Sequence, residues 1–233
     1  MQKKTADNLL NLVQTSYSQI AADFNETRKK KIWPELKNLA DGIDDSLKHR
    51  TVLDVGCGNG RLAELFRGRN ISYLGLDSCR PLLALAKNNY PETAFAEADI
   101  LRLSQIKAHG FDYVFCIAVL HHLPGDTLRL EALKQLKSKL QPNGRLILTV
   151  WNLWGSKYRS LIFKYWLLKL LGKNDFDFGD IVFDWQGSQG TAPVRRYYHA
   201  FTKRALLKLM RQADLTVEQI YHDRYNYYLV LKK

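Results

Sequence analysis

Up to about Leu47 the apolar positions recur at helical spacing: Leu9, Leu10, Leu12, Val13, Tyr17, Ile20 and Phe24 fall along one stripe, which predicts a helix. A basic run, Arg28-Lys29-Lys30-Lys31, leads into Trp33-Pro34. Pro34 suits the first turn of a second helix, where the donor it lacks has no partner anyway. From Thr51 the pattern changes to short apolar runs closed by glycines or acids. Thr51–Val55, Ser72–Leu76, Thr93–Glu97, Asp112–Ile117 and Arg145–Val150 read as buried strands. Between them, Arg61–Arg67, Arg80–Asn88 and Thr127–Leu140 read as helices, and Asn143-Gly144 marks the turn before the last strand. Strands alternating with helices across short connections predict an α/β fold with a parallel, doubly wound sheet.

The alternation breaks between Trp151 and Val194. This stretch is aromatic, holds Gly155, Gly172, Gly179, Gly187 and Gly190, and lacks sheet periodicity. It reads as an inserted lid or subdomain. The pattern then resumes with a helix over Lys203–Gln212 and a closing hairpin of Thr216–Tyr221 with Tyr225–Leu231. The expected organisation is one domain over 1–233, with an N-terminal helical extension at 1–47 and the insertion at 151–194. Within the insertion, Leu161–Leu171 is strongly apolar, yet Lys164 and Lys169 interrupt it and it is too short to span a bilayer. Its expected place is an apolar face packed inside a lid helix, with a partner site or a membrane-surface helix as alternatives.

Composition narrows the classes. A chain of 233 residues that is 46% hydrophobic can bury a sizeable core, and 25% charged residues do not indicate disorder. Lys plus Arg total 35 against 23 for Asp plus Glu, a net charge of +12. That surplus attracts polyanions, with RNA, DNA and anionic membranes as candidates. Cys57, Cys79 and Cys116 form no CxxC pair and no zinc-ligand spacing with a histidine, so no metal site is expected. All lie in or beside apolar runs, as free thiols do in a reducing compartment. The N-terminus has no apolar signal-peptide core, which makes the cytoplasm the expected location.

The sharpest motif is Val52-Leu53-Asp54-Val55-Gly56-Cys57-Gly58-Asn59-Gly60, in which glycines follow a strand and open a helix. Gly56 and Gly58 let the backbone come close to a ligand. Asp77 ends the second strand with Ser78 behind it, where an acid accepts hydrogen bonds from ribose hydroxyls. Asp99 and Ile100 follow the third strand, where an acid takes an adenine amino group while its apolar neighbour packs on the ring. Ile117 closes the fourth strand beside them. These groups gather at the carboxyl ends of parallel strands, where open α/β sheets bind ligands. A dinucleotide dehydrogenase is the natural competitor, but its spacing is G-x-G-x-x-G. Asp54, just before the glycines, would repel a pyrophosphate and suits an ammonium.

Asp54-Val-Gly-Cys-Gly-Asn-Gly60 together with Asp77 and Asp99 resembles the class I S-adenosylmethionine-dependent methyltransferases. That resemblance implies a Rossmann-like, mostly parallel sheet of seven strands whose terminal hairpin holds the antiparallel strand. It also implies S-adenosylmethionine as cofactor. Further segments narrow the match: Cys116-Ile-Ala-Val-Leu-His-His-Leu-Pro124, Val150-Trp151, Arg195-Arg196-Tyr197-Tyr198-His199-Ala-Phe201, and Tyr17, Phe24, Thr27-Arg28 and Trp33-Pro34 at the front. These resemble the tRNA wobble-uridine carboxymethyl methyltransferases, which methylate the carboxylate of 5-carboxymethyluridine. The resemblance implies tRNA as partner. In eukaryotic relatives it also implies a small zinc-binding activator subunit.

The implied chemistry can be matched to residue types. A carboxylate nucleophile is already ionised near neutral pH and needs no general base, so orientation dominates. Cations must hold the carboxylate and aromatic rings must hold the splayed-out base. Arg28, Arg195 and Arg196 supply charge, Tyr17, Trp33, Tyr197 and Tyr198 supply rings, and His121 and His199 supply directed donors. Strand alternation puts either Tyr197 or Tyr198 in the core. Two other functions compete: a small-molecule O- or C-methyltransferase with an apolar tunnel lined by 158–171, and a catalytically silent protein of this fold that binds RNA or a partner.

Overall fold

The computed structural model describes residues 1–28, 32–155, 157–187 and 193–233. In chain order its elements are α1 (Lys3–Arg28), α2 (Pro34–Asp41), β1 (Arg50–Val55), β2 (Ile71–Asp77), α3 (Arg80–Asn89), β3 (Ala94–Glu97), β4 (Phe111–Ile117), α4 (Asp126–Lys139), β5 (Leu140–Trp151), α5 (Arg159–Leu170), β6 (Asp180–Trp185), β7 (Val194–His199), α6 (Lys203–Gln212), β8 (Thr216–His222) and β9 (Asn226–Lys232). Pro34 opens α2 as expected, with Trp33 as the residue before the first turn.

The main sheet has seven strands in the order β3-β2-β1-β4-β5-β9-β8. β1 pairs in parallel with β2 and β4, β4 with β5, and β2 with β3. β9 enters antiparallel between β5 and β8, so the terminal hairpin closes the sheet. The strand order reverses between β1 and β4, and a crevice opens there at the strands' carboxyl ends.

Alternation along each strand sends its side chains to opposite faces. Val52, Phe115 and Ile147 pack with Leu36 and Ala40 of α2. Leu53, Val114, Cys116, Leu146 and Leu148 face the other way, against α4 and α6. Burying each such side chain contributes about 1.5–3 kcal/mol of apolar transfer energy, which is why these short runs become strands despite their length. Thr202 caps α6 by accepting a 3.1 Å hydrogen bond from the Ala205 N–H.

The structure departs from the sequence-based expectations in three places. Arg61–Phe66 coils as a 3₁₀ helix, a tighter winding than the expected α-helix. The insertion holds a strand: β6 pairs antiparallel with β7, Asp180 opposite His199 and Trp185 opposite Val194. This small sheet packs on α1 through Leu9, Val182 and Tyr197. The last departure is α5, which buries Ile162 but leaves Phe163, Trp166, Leu167 and Leu170 exposed, so its apolar side is not sealed inside a lid. Among the described residues, no helix is long and apolar enough to cross a membrane.

Candidate active site

A cavity of about 720 Å³ opens at the strand-order reversal. Its sheet-side wall is the glycine loop with Asp54, Asp77, Ser78, Asp99, Ile100 and Ile117. Its opposite wall comes from α1 and β7, through Tyr17, Phe24, Arg28 and Arg196, with His122 and Trp151 between.

The loop conformation explains its glycines. Gly56, Gly58 and Gly60 have φ of +79°, +58° and +78°, in the region that side-chain-bearing residues avoid. A Cβ on Gly56 would come within 2.2 Å of Val119 Cγ2. Gly60 does not line the cavity. A Cβ there would meet Phe95 Cζ at 2.8 Å, so it serves close packing behind the loop and not ligand approach.

Three carboxyls stand on the sheet-side wall. Asp77 is held by the backbone: its Oδ2 accepts from Gly58 N–H and its Oδ1 from Cys79 N–H, both at 2.8 Å. Asp99 Oδ1 accepts from Leu101 N–H at 2.9 Å. Asp54 is 2% exposed, and among the described residues its carboxyl has only the Tyr73 hydroxyl, which donates to Oδ2 at 2.6 Å. Burial pushes the Asp54 carboxyl up to about 7, and the nearby Asp77 charge adds to that. No cation stands within ion-pairing distance of it among the described residues.

Across the cavity the charge pattern inverts. Arg196 is 2% exposed, its Nε has no acceptor, and no carboxylate pairs with it among the described residues. Ring faces surround its guanidinium instead: Tyr17 at 4.7 Å, Tyr198 at 5.0 Å and Trp185 at 5.8 Å. Such a group cannot shed its charge, so a buried, unpaired guanidinium at a cavity wall is a seat for an anion. Arg28 lines the same wall, over the Phe24 ring at 4.7 Å, with Nη1 donating to Thr27 Oγ1 at 2.9 Å. Lys29–Lys31, expected on a solvated or phosphate-contacting face, lie outside the described residues.

β7 alternates, and this sorts the Arg-Tyr-Tyr-His run. Arg196 reaches the cavity, whereas Tyr197 and His199 lie on the other face and line no part of it. Their partner is Asp180 of β6, whose Oδ1 accepts from the Tyr197 hydroxyl and from His199 Nδ1, each at 2.7 Å. Arg129 joins at 3.3 Å from the same oxygen. Burial would raise the Asp180 carboxyl, but the His199 hydrogen bond and the His199 and Arg129 charges outweigh it and hold the group below the usual carboxylate range. Burial, with the Arg129 charge beside it, lowers His199 as well. Tyr197 and His199, expected as substrate contacts, are therefore placed in a buried polar lock away from the cavity wall.

The histidine pair is corrected too. His121 does not line the cavity: it is wholly buried, its Nδ1 accepts from Trp151 N–H at 3.2 Å, and it stacks on Tyr198 at 5.3 Å. His122 lines the cavity. Its Nδ1 lies 3.3 Å from the Tyr197 carbonyl oxygen and its Nε2 lies 2.8 Å from the Tyr17 hydroxyl. Burial, with the Arg196 charge, pushes His122 down to about 3, so the ring is neutral. Nδ1–H then donates to the carbonyl and Nε2 accepts from Tyr17. Trp151, which lines the cavity and stacks on Tyr198 at 4.7 Å, was legible as the end of a strand and as part of the family resemblance, without a role at the site. Just ahead of the histidines, Ala118 holds a φ of +58° with its N–H on Thr149, strained backbone of the kind that collects at functional sites.

A family model described as a methyltransferase domain matches residues 24–220. The chain is 27% identical over 235 residues to the tRNA (carboxymethyluridine(34)-5-O)-methyltransferase of Schizosaccharomyces pombe, covering 95% of this chain and 96% of that protein. The Arabidopsis thaliana protein of the same name is 31% identical over 151 residues, which is 64% of this chain but 35% of that longer protein. Among solved structures, a S-adenosylmethionine-dependent methyltransferase from Methanosarcina mazei superposes with a TM-score of 0.69 at 17% identity, covering 87% of this chain and 98% of that one. The amino pentose methyltransferase CalS10 of Micromonospora echinaspora, solved with S-adenosylmethionine bound, gives a TM-score of 0.58 at 17% identity over 87% of this chain and 92% of that one. At these identities the likeness to solved structures is one of fold.

Proposed function

The chain belongs to the methyltransferase domain family, and from that premise we propose that it methylates the carboxylate of 5-carboxymethyluridine at the tRNA wobble position. The observation that carries the reading is Arg196: a guanidinium buried in the wall of the cavity that also holds Asp54, Asp77 and Asp99, with no acid paired to it among the described residues.

The sheet-side residues fit the cofactor. Asp54 is a buried acid that forms no ion pair among the described residues, with the Arg61 charge acting on it only from a distance, and it suits an ammonium; Asp77 and Asp99 suit a ribose diol and an adenine amine, with Ile100 against the ring. When bound there, S-adenosylmethionine supplies an electrophilic sulfonium methyl. Gly56 and Gly58 keep the loop backbone close to the ligand.

The opposite wall has the groups an ionised acceptor needs. Arg196 neutralises and orients the carboxylate, and Arg28 on the same wall faces the RNA backbone or the same anion. Neutral His122 cannot protonate the nucleophile at physiological pH and so leaves it reactive. Its bond to Tyr17 fixes the wall. Trp151 and the Tyr17 ring offer faces for the base. A net charge of +12 supports tRNA as the partner, and buried, unpaired thiols at Cys57, Cys79 and Cys116 support the cytoplasm as the setting. The rival small-molecule reading needed an apolar tunnel lined by 158–171, and no residue of α5 lines the cavity.

The test is direct. The protein is incubated with labelled S-adenosylmethionine and bulk tRNA, with and without a small zinc-binding subunit of the kind the resemblance implies. The RNA is then digested to nucleosides. The expected product is the methyl ester of 5-carboxymethyluridine by mass; label in any other nucleoside, or none in either arm, overturns the reading.

A further inference from the structure

A second cleft, of about 660 Å³, lies on the far side of Trp33 and Trp151, the tryptophans that also line the first cavity. Its other walls are Tyr158 and the tip of the β8–β9 hairpin, Asp223–Tyr225. That tip is built rigidly. Asp223 Oδ1 accepts from the Tyr225 and Asn226 N–H groups, both at 2.6 Å, and Oδ2 accepts from the Tyr228 hydroxyl at 2.9 Å. Asn152, next to Trp151, ties the tip to β5 by donating its backbone N–H to the Tyr225 carbonyl at 2.7 Å. The scaffold's effect is to hold Tyr225 in solvent, 67% exposed, with the Arg224 guanidinium 5.7 Å from its ring centroid.

An exposed phenol on a fixed turn, flanked by an exposed arginine and opening on a tryptophan, is the chemistry that stacks a nucleobase and holds its phosphate. The acids of the cleft keep their charge but are held in place, Asp223 by the turn and Glu35 by the Tyr221 hydroxyl, and neither forms an ion pair with Arg224 among the described residues, which leaves that guanidinium open to a phosphate. We propose that this second cleft is the subsite for the nucleotide adjacent to the one methylated, its base on Tyr225 and its phosphate near Arg224. The inference rests on the wobble-uridine reading: an RNA strand that places one base in the first cavity carries its neighbour across the shared Trp33–Trp151 wall.

The experiment uses the full chain and an anticodon stem-loop RNA carrying 2-aminopurine immediately 5′ or 3′ of the target uridine. Wild-type protein is expected to quench one of these probes. Tyr225→Ala abolishes the quench and raises KM for the unlabelled stem-loop roughly tenfold, the loss of one stacked base. Its kcat and S-adenosylmethionine affinity stay unchanged, and Tyr225→Phe keeps the quench. Quenching of neither probe, or quenching and KM that survive Tyr225→Ala, overturns the subsite. The two readings separate cleanly. Wild-type methylation with an indifferent Tyr225→Ala sinks the subsite alone, whereas a Tyr225-dependent quench without methylation sinks the reaction and keeps the RNA subsite.

Discussion

The Tyr17 hydroxyl donates a 2.8 Å hydrogen bond to Nε2 of His122, and this bond fastens the N-terminal helix to the turn after β4 across the cavity. Because His122 is buried and neutral, with Nδ1–H committed to the Tyr197 carbonyl, Nε2 has no donor of its own and depends on Tyr17. The same phenol ring lies against the Arg196 guanidinium. Helix, turn and β7 thus meet at one hydroxyl.

Tyr17→Phe keeps the ring and removes that bond. A lost hydrogen bond to a buried acceptor costs about 1–3 kcal/mol, so kcat/KM for tRNA should fall roughly tenfold as the wall loosens. Affinity for S-adenosylmethionine should hold, because the sheet-side wall is untouched. Steady-state kinetics with calorimetry checks it, and an unchanged kcat/KM would mean that the bond is incidental.

Arg196→Ala should remove the anion seat. Truncating one partner of a buried charged contact costs about 2–5 kcal/mol, so methyl transfer should drop by roughly a hundredfold or more while cofactor affinity stays at the wild-type value. Loss of both together would signal a collapsed wall; retention of both would place the acceptor elsewhere.

The contrast between Arg196 and its neighbours shows what was readable in advance. The glycine loop, Asp77 and Asp99 could be placed from sequence because a parallel sheet forces strand ends to one edge, and the apolar runs fix which residues end the strands. Of the Arg-Tyr-Tyr-His run, Arg196 reaches the cavity wall and Tyr197 and His199 do not. Alternation says only that Arg196 and Tyr198 oppose Tyr197 and His199; in the structure Arg196 alone of the four lines the cavity and both tyrosines are wholly buried, where one was expected in the core, because β6 covers the run, and β6 was missed. Its apolar run Ile181–Phe183 does not alternate clearly, and its partner lies beyond a stretch of sequence that holds Gly187 and Gly190. His121 and His122 were indistinguishable for a related reason: they sit in a 3₁₀ turn, Leu120–His122, where no simple period assigns faces.

Asp77→Ala should weaken S-adenosylmethionine binding by roughly a hundredfold or more, since a carboxylate that accepts from both hydroxyls of a diol contributes about 1.5–3 kcal/mol per bond. The substitution also frees Gly58 and Cys79 N–H groups, so a thermal melt should accompany calorimetry. A folded variant with wild-type affinity would refute the ribose assignment.

Asp54 gives a pH dependence. In the free protein its carboxyl titrates near 7, because burial disfavours the charge and Asp77 adds repulsion, offset partly by the Tyr73 hydroxyl and the Arg61 charge. A ligand ammonium prefers the ionised form, so binding below that value must first expel a proton. Affinity for S-adenosylmethionine should therefore be flat above about pH 7.5 and fall roughly tenfold per pH unit below about pH 6.5. Asp54→Asn should bind more weakly at pH 8 and lose most of that slope; a slope that persists in the variant would assign the titration to another group, Asp77 being the nearest.

The buried lock of Asp180 predicts a stability effect separate from catalysis. Asp180→Asn leaves Arg129 wholly buried with, among the described residues, only the exposed carboxylate of Asp126 as an ionic partner. Breaking such a pair costs about 3–5 kcal/mol, which for a chain of this length lowers Tm by roughly 10 °C. The wild-type carboxyl titrates below its unfolded value of 3.8, so its contribution is fully present at neutral pH and is lost as pH falls through that range. The gap in Tm between wild type and Asp180→Asn should thus be widest near pH 7 and narrow below pH 4. Because Tyr197 and His199 point into this lock, Tyr197→Phe should also cost stability while S-adenosylmethionine affinity of the folded protein is preserved. A Tm gap that does not change between pH 7 and pH 3 would show that the carboxylate's charge is not what holds β6 and β7 against α4.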